Sequence, residues 1–346
     1  MVRRLLKDFR FSVLPVPGRL IAIIFFVALF IGPLIVEKRL VTSSLTFASL
    51  FAIFAVSWDL LSGYSGQLNF GHALFFGVGA YSTALLNKYL GWQPWATIPV
   101  GALIAASVGL VTCLPALRLR GPYLTLLTLS FPLMLLGIVF TFKDITGGEH
   151  GIWGVPKLAD SRVAVYYICL IVMTVSVLIM WKFTDAGSRY IRTGLIFHAI
   201  REDEIAARAT GINTIRYKLL AFAIGGFFAG IAGALYAHVL GVAGASALSM
   251  TLSFQAIIWV VFGGIVSIYG GVVGVYILYP LLSIVLVRVI EYGTLILAVI
   301  VVLMLLFMPE GIAVWIRNKM ERECPRCKLT NGFWRKECRA CSASLH

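Results

Sequence analysis

The sequence predicts an all-α polytopic membrane protein of about ten transmembrane helices, with a small zinc ribbon at a cytoplasmic C-terminus. Three observations predict it. Sixty per cent of the 346 residues are apolar and 13% are charged, where soluble chains average roughly 45–50% and about 25%. So much apolar surface cannot be hidden in one aqueous core, which excludes a water-soluble enzyme. Second, runs of about 17–25 apolar residues, enough for a helix to cross roughly 30 Å of hydrocarbon, recur through most of the chain. Third, four of the six cysteines crowd into the last 23 residues, after the apolar runs end.

In chain order the expected spans are Leu20–Val36, Leu40–Leu61, His72–Leu86, Trp95–Leu117, Gly121–Phe142, Val163–Phe183, Tyr217–Leu240, Leu252–Ile268, Gly271–Ile290 and Thr294–Met308. The third is short and broken by glycine, a shape that also fits a re-entrant piece. Basic residues precede the first run, as in a signal peptide. Glu37-Lys38-Arg39 follows it in place of a small-residue cleavage site, so it reads as a helix that stays. The chain thus divides into a cytoplasmic N-terminal segment, 1–19, a transmembrane domain, 20–315, and a tail, 316–346.

The net charge of +14 would suggest nucleic acid in a soluble protein. Here it gives the orientation. With both termini inside, 22 of the 29 Lys and Arg residues fall on the cytoplasmic side and 7 outside. No nucleic acid is required; the partner implied by composition is the lipid bilayer.

The longest inside loop, 184–216, reads as a charged, amphipathic helix. Ile196, Ile200, Ala207 and Ile212 fall near one face, and Gly211 stands where a C-cap would. Such a helix docks into a groove on a cytoplasmic partner or rests among lipid headgroups. Inside the spans charge is scarce. Asp59 lies near the inner end of the second span, where it caps, pairs with an inside Arg or faces a transport path. Arg288 and Glu291, at the outer end of the ninth span, have the spacing of a local ion pair. Glycines from Gly63 to Gly79, and again at Gly263-Gly264 and Gly270-Gly271, let helices approach closely or break. Irregular backbone at membrane depth survives only when packed in protein or lining a cavity. Tight packing and a central binding site both remain open.

Several of these stretches together resemble the permease subunits of branched-chain amino acid ABC importers, of the LivM/LivH type. Arg201-Glu202-Asp203-Glu204-Ile205-Ala206-Ala207-Arg208-Ala209-Thr210-Gly211 is similar to their coupling loop. Ala206, Ala207 and Gly211 match the general Glu-Ala-Ala, three residues, Gly pattern. Ile205 holds the acidic position, and Glu204 lies one place earlier. Ser62-Gly63-Tyr64-Ser65-Gly66-Gln67-Leu68-Asn69-Phe70-Gly71-His72, Gly121-Pro122-Tyr123, Thr146-Gly147-Gly148 and Pro309-Glu310-Gly311 also match, in the family's order, over about residues 20–315.

The resemblance implies a translocation-path subunit in a prokaryotic inner membrane. It would work with a second permease subunit, two cytoplasmic ATPase subunits and an extracytoplasmic substrate-binding protein. It assigns coupling to Arg201, Glu202, Glu204, Ala206, Ala207 and Gly211, and points to Asp59, Gly63, Gly66, Gln67, Asn69 and Gly71 for the substrate path. Near relatives handle urea, short amides and other small polar solutes, so the cargo class stays open.

No Gly-x4-Gly-Lys-Ser/Thr phosphate loop occurs in the chain. ATP hydrolysis, if it drives transport, is expected on partner subunits, and no nucleotide on this chain. A contrasting enzyme reading starts from Gly63-Tyr64-Ser65-Gly66 and Ala237-His238, which resemble the serine and histidine motifs of rhomboid intramembrane proteases. A Ser–His dyad needs its groups within roughly 2.6–3.2 Å. The predicted topology sets Ser65 and His238 at opposite faces, about 30 Å of hydrocarbon apart.

In the tail, Cys324-Pro325-Arg326-Cys327 and Cys338-Arg339-Ala340-Cys341 form two knuckles separated by ten residues. Four thiolates so spaced suit a tetrahedral metal. Asn331-Gly332 between them reads as the turn of a hairpin spanning Lys328–Lys336. Zn²⁺ is the expected ion, with a one-iron centre as the alternative; a reducing cytoplasm disfavours disulfides. Cys113 and Cys169, inside spans, read as small apolar fillers.

Overall fold

The computed structural model describes residues 17–35, 39–117, 119, 121–185, 192–285, 293–327, 330–332, 337–338, 341 and 343–344. Most of the expected 1–19 segment, the Arg288–Glu291 pair and Phe333–Lys336 lie outside them.

The described chain is almost entirely helical: α1 (Pro17–Ile35), α2 (Arg39–Trp58), α3 (Ala73–Leu90), α4 (Pro94–Ala116), α5 (Pro122–Thr141), α6 (Lys143–Thr146) and α7 (Arg162–Thr184). There follow α8 (Thr193–Glu202), α9 (Glu204–Ala209), α10 (Thr214–Leu240), α11 (Met250–Gly263), α12 (Ile268–Pro280), α13 (Gly293–Phe307) and α14 (Ile312–Met320). A π-helical turn, Asp59–Tyr64, extends α2, and a second, Leu281–Val285, extends α12. Two antiparallel strand pairs complete it. β1 (Ile152–Trp153) pairs with β2 (Val242–Ala243), and β3 (Glu321–Glu323) with β4 (Thr330–Gly332).

By length and composition, five helices among the described residues can cross a membrane: α2 with its π turn, α4, α5, α7 and α10. The expected count of about ten is not confirmed among the described residues. The eighth and ninth expected spans, Leu252–Ile268 and Gly271–Ile290, are two short helices bent by 110° at a break of four residues. They form one broken span or a re-entrant pair. The break falls at 264–267, beside the glycines that made the two runs look separable.

The centre of the bundle is α3, α4 and α10, packed backbone to backbone. A Cβ on Gly233 of α10 would land on the Phe76 carbonyl of α3, and one on Gly79 of α3 on the Gly230 carbonyl. Only glycine permits that approach, and small-residue packing is what joins helices where lipid is as apolar as the side chains. Around it Phe51, Phe54, Phe76, Tyr236, Trp259 and Tyr279 interlock, with neighbouring ring centroids 5.0–6.3 Å apart. By contrast α5 exposes Tyr123, Leu126, Leu133, Met134, Ile138 and Phe140. That is the pattern of a helix facing a surrounding apolar phase.

Two connections enter the bundle as irregular chain from opposite ends. After Tyr64 the chain turns back, and His72 Nε2 lies 2.8 Å from Ser57 Oγ before α3 begins. After α10, the strand Val242–Ala243 and a 3-10 turn, Ala245–Leu248, lead inward until Leu248 packs on Gly77. The two meet where the Ala73 amide donates to Ser253 Oγ at 2.9 Å. Helix α3 therefore starts inside the protein, and α11 buries Leu252 and Ser253 in its first turn.

Candidate functional site

The expected loop helix is two helices. Asp203 ends α8 in extended backbone and caps α9, its carboxylate accepting from the Ile205 and Ala206 amides at 2.8 and 3.1 Å. An Asp in mid-run competes for backbone donors, so it breaks the helix that hydrophobic spacing alone suggested. Gly211, at φ +86°, closes α9 as expected. The Ile212 amide reaches Ala207 O and the Gly211 amide Arg208 O, a Schellman cap.

α8 rests on the bundle through Phe197 and Ile200, both buried, and its first turn is tied to α7 by Thr193 Oγ1 donating to Phe183 O at 2.7 Å. Of the coupling residues named above, Ala207 is buried while Arg201, Glu202, Ala206 and Gly211 are exposed. So is Ile205, at 67%. A small apolar tip ringed by charge thus projects from the bundle. Glu204 turns the other way. It pairs with Arg208, accepts from Thr214 Oγ1 at 3.3 Å and meets the buried Lys218 Nζ of α10 at 2.9 Å. Partial burial alone would raise its pKa; the hydrogen bonds and charges of Lys218 and Arg208 outweigh it and hold the carboxyl below its usual range. Lys218 is the member of this network that sequence reasoning missed. It lies 14 residues on, across the loop, with no local pattern to mark it.

Next to α8 lies the irregular segment. Its polar groups are spent on its own backbone. Trp58 Nε1 donates to Asn69 O at 2.6 Å, the Gly71 amide to Asn69 Oδ1 at 2.9 Å, Ser62 Oγ to Gln67 O at 3.1 Å and Gln67 Nε2 to Ser65 O at 3.3 Å. The Phe70 amide reaches Thr128 Oγ1 of α5 at 3.1 Å. Gly66, at φ +71°, lies against the Arg201 backbone, and a Cβ on Gly71 would land on the Thr128 carbonyl. The structure thus brings Gly66 to Arg201 and Asp59 to Gly63, and places Gln67, Asn69 and Gly71 along one buried strand of chain. Both Asp59 oxygens accept backbone amides, Val266 N at 2.9 Å and Ser267 N at 3.1 Å. Phe70 and Phe254 meet edge to face at 5.8 Å where the two irregular segments converge.

Ser65 and His238 have separate partners. Ser65 Oγ donates to Leu61 O at 2.6 Å; His238 lies against Pro156 O at 2.6 Å and Thr97 Oγ1 at 3.4 Å, beside the β1–β2 pair.

In the tail, all four sulfurs lie within 4.8 Å of one another, with Cys324–Cys341 and Cys327–Cys338 each at 3.4 Å. The four cysteines can hold a metal ion. The Cys327 amide, then that of Arg326, pulls the Cys324 thiol below its ordinary value, the direction a thiolate ligand needs. The hairpin differs from expectation. Asn331-Gly332 is not its turn but part of β4, with Arg322 opposite Asn331; the first cysteine knuckle lies in the connection between β3 and β4. Asn331 is buried and its Nδ2 donates to Cys338 Sγ at 3.6 Å, which fixes it on the sulfur-facing side of a strand.

A bundle of long apolar helices, with an exposed charged loop at one end, is that of a multi-pass membrane protein. The chain matches the family model described as "Branched-chain amino acid transport system / permease component" over residues 40–308, and it belongs to that family. It is 31% identical to the high-affinity branched-chain amino acid transport system permease protein LivM of Escherichia coli K12, over 83% of this chain and 71% of that one. It is 28% identical to the corresponding LivH protein of the same organism, over 78% and 93%. The probable LivH permease of Methanocaldococcus jannaschii is 25% identical, over 83% and 95%. No solved structure matches the chain.

Proposed function

We propose that this chain is the membrane-spanning permease subunit of an ATP-driven importer that translocates branched-chain or related amino acids. It works in a prokaryotic inner membrane with both termini cytoplasmic, beside a second permease, two ATPase subunits and an extracytoplasmic binding protein. The observation that carries this reading is the α8–α9 element, whose exposed Ile205 and Ala206 form an apolar tip while Glu204 and Ala207 tie it to the bundle. A self-sufficient transporter has no use for such a docking piece. We place the segment 65–72, irregular backbone packed beside α8, along the edge of the path, where the resemblance puts it. The tail cysteines hold zinc, for which Zn–S bonds of about 2.3 Å in a tetrahedron suit sulfurs this close.

The test is reconstitution of this chain with its companion subunits in vesicles. Leucine uptake should require ATP, and Ala206→Cys should crosslink to the ATPase. Labelling of that cysteine from outside intact cells would overturn the orientation, and uptake of urea or short amides in place of leucine would overturn the cargo.

A further inference from the structure

We propose that Asp59 is the positioning residue that carries displacement of the docking element α8–α9 to the bend between α11 and α12. The inference rests on the coupling role given to α8–α9 and goes beyond it, naming where the motion is received.

The bend is strained and it is held from outside itself. Val266, at φ +61°, is the one non-glycine residue with positive φ among the described residues. A β-branched side chain is a poor occupant of that region, and such a conformation persists only where surrounding contacts impose it. The contacts here are the two Asp59 oxygens, one on the Val266 amide and the other on the Ser267 amide. Ser267 in turn caps α12, its Oγ accepting from the Gly270 amide at 3.0 Å. A side chain accepting from two successive amides fixes both position and direction of the chain that follows. Asp59 is fully buried and its slot is tight, because a Cβ on Gly63 would fall on its Oδ1. On the far side of the bend, Gly264 lies against the Gly311 backbone at the head of α14.

The same π-helical turn that carries Asp59 touches the docking element at its other end. The Tyr64 ring meets the His198 ring of α8 edge to face at 5.5 Å, and a Cβ on Gly66 would lie 3.2 Å from Arg201 Cα. Burial and then the Arg201 charge hold His198 below its usual pKa, so it packs on Tyr64 as a neutral ring at physiological pH. Six residues of π helix therefore stand between α8 and the bend, with contacts at both ends. Packed elements of this kind transmit small shifts because they change between discrete arrangements and do not deform continuously. A bend kept in a costly conformation by one side chain is the part of the bundle with a second arrangement near at hand.

The experiment measures ATP hydrolysis by the full complex in lipid vesicles, with and without leucine-loaded binding protein. Asp59→Asn keeps the volume and one acceptor oxygen but sets an amide NH₂ against a backbone N–H. The expected result is loss of leucine stimulation in complexes that still assemble and hydrolyse ATP. If Asp59 only staples the fold, the yield of complex falls while the stimulation of what assembles stays that of the wild type, and the proposal is overturned. Should Asp59→Asn fail to assemble, Val266→Gly decides. Glycine accepts the positive φ without strain, so the bend no longer depends on the clamp and stimulation should weaken; wild-type stimulation in that variant overturns the proposal. A wild-type complex that shows neither stimulation nor leucine uptake is a separate failure, that of the importer reading.

Discussion

The glycine-packed core of α3, α4 and α10 and the C-terminal ribbon meet the same demand by opposite means. In the core, Gly79, Gly230 and Gly233 remove side chains so that three backbones touch. Order there comes from shape, since lipid offers helices no hydrophobic reason to leave it. In the ribbon, the described residues show two three-residue strands and, outside them, two buried cysteines, Cys324 and Cys338. A tail of about thirty residues buries little surface against the entropy of ordering it, and a metal held by the four cysteines would supply what packing does not. One region depends on what is missing from its side chains; the other, with the proposed ion, would depend on what is added to them.

Metal removal is the largest test of this contrast. Structural zinc in small modules binds with about 10–16 kcal/mol of apparent free energy, far above what the ribbon's own contacts provide. Chelation, or Cys324→Ser, should open the tail to protease while the bundle melts as before; metal analysis of the purified chain should return zinc, with iron as the contrary result. Unchanged protease resistance in Cys324→Ser would show that the ribbon stands without its ion. Next in size is Gly233→Leu, which drives a side chain into the Phe76 carbonyl. Overpacking costs typically 1–3 kcal/mol and more where, as here, the obstacle is backbone. The melting temperature in detergent should fall sharply, with the tail's metal content intact.

These two regions also differ in how well the sequence reveals them. The four cysteines are legible because metal chemistry dictates residue type and spacing, yet Asn331-Gly332 misleads. The dipeptide favours a turn, but a buried amide facing Cys338 Sγ puts it in a strand. Long spans such as α7 and α10 are legible from composition. The break between α11 and α12 is not, because Val266 is an ordinary apolar residue whose positive φ is imposed from Asp59, about 200 residues away in the chain. The same holds for Lys218. Periodicity reports which face of a helix is buried, and is silent on which distant charge it meets.

Glu204→Gln gives the smallest of these effects and sharpens the comparison, because it touches neither backbone packing nor metal. Lys218 is 4% exposed, and its ammonium meets Glu204 Oε2 at 2.9 Å. Glutamine keeps the shape and one acceptor but leaves a buried charge without its counter-charge, a loss of roughly 1–3 kcal/mol. Since Glu204 is itself part-exposed, the lower end of that range is expected. The loss should be local. Amide exchange should quicken across α8 and α9 while α3, α4 and α10 keep their protection, and a uniform change across the bundle would contradict the assignment. Acid should imitate the variant. The Glu204 pKa is lower in the folded protein than its ordinary 4.5, so its contribution is present above that value. It is lost as pH falls through the folded value, when the carboxyl takes up its proton. In Glu204→Gln that step in exchange rate should vanish, leaving the loop at its faster rate across the same acid range.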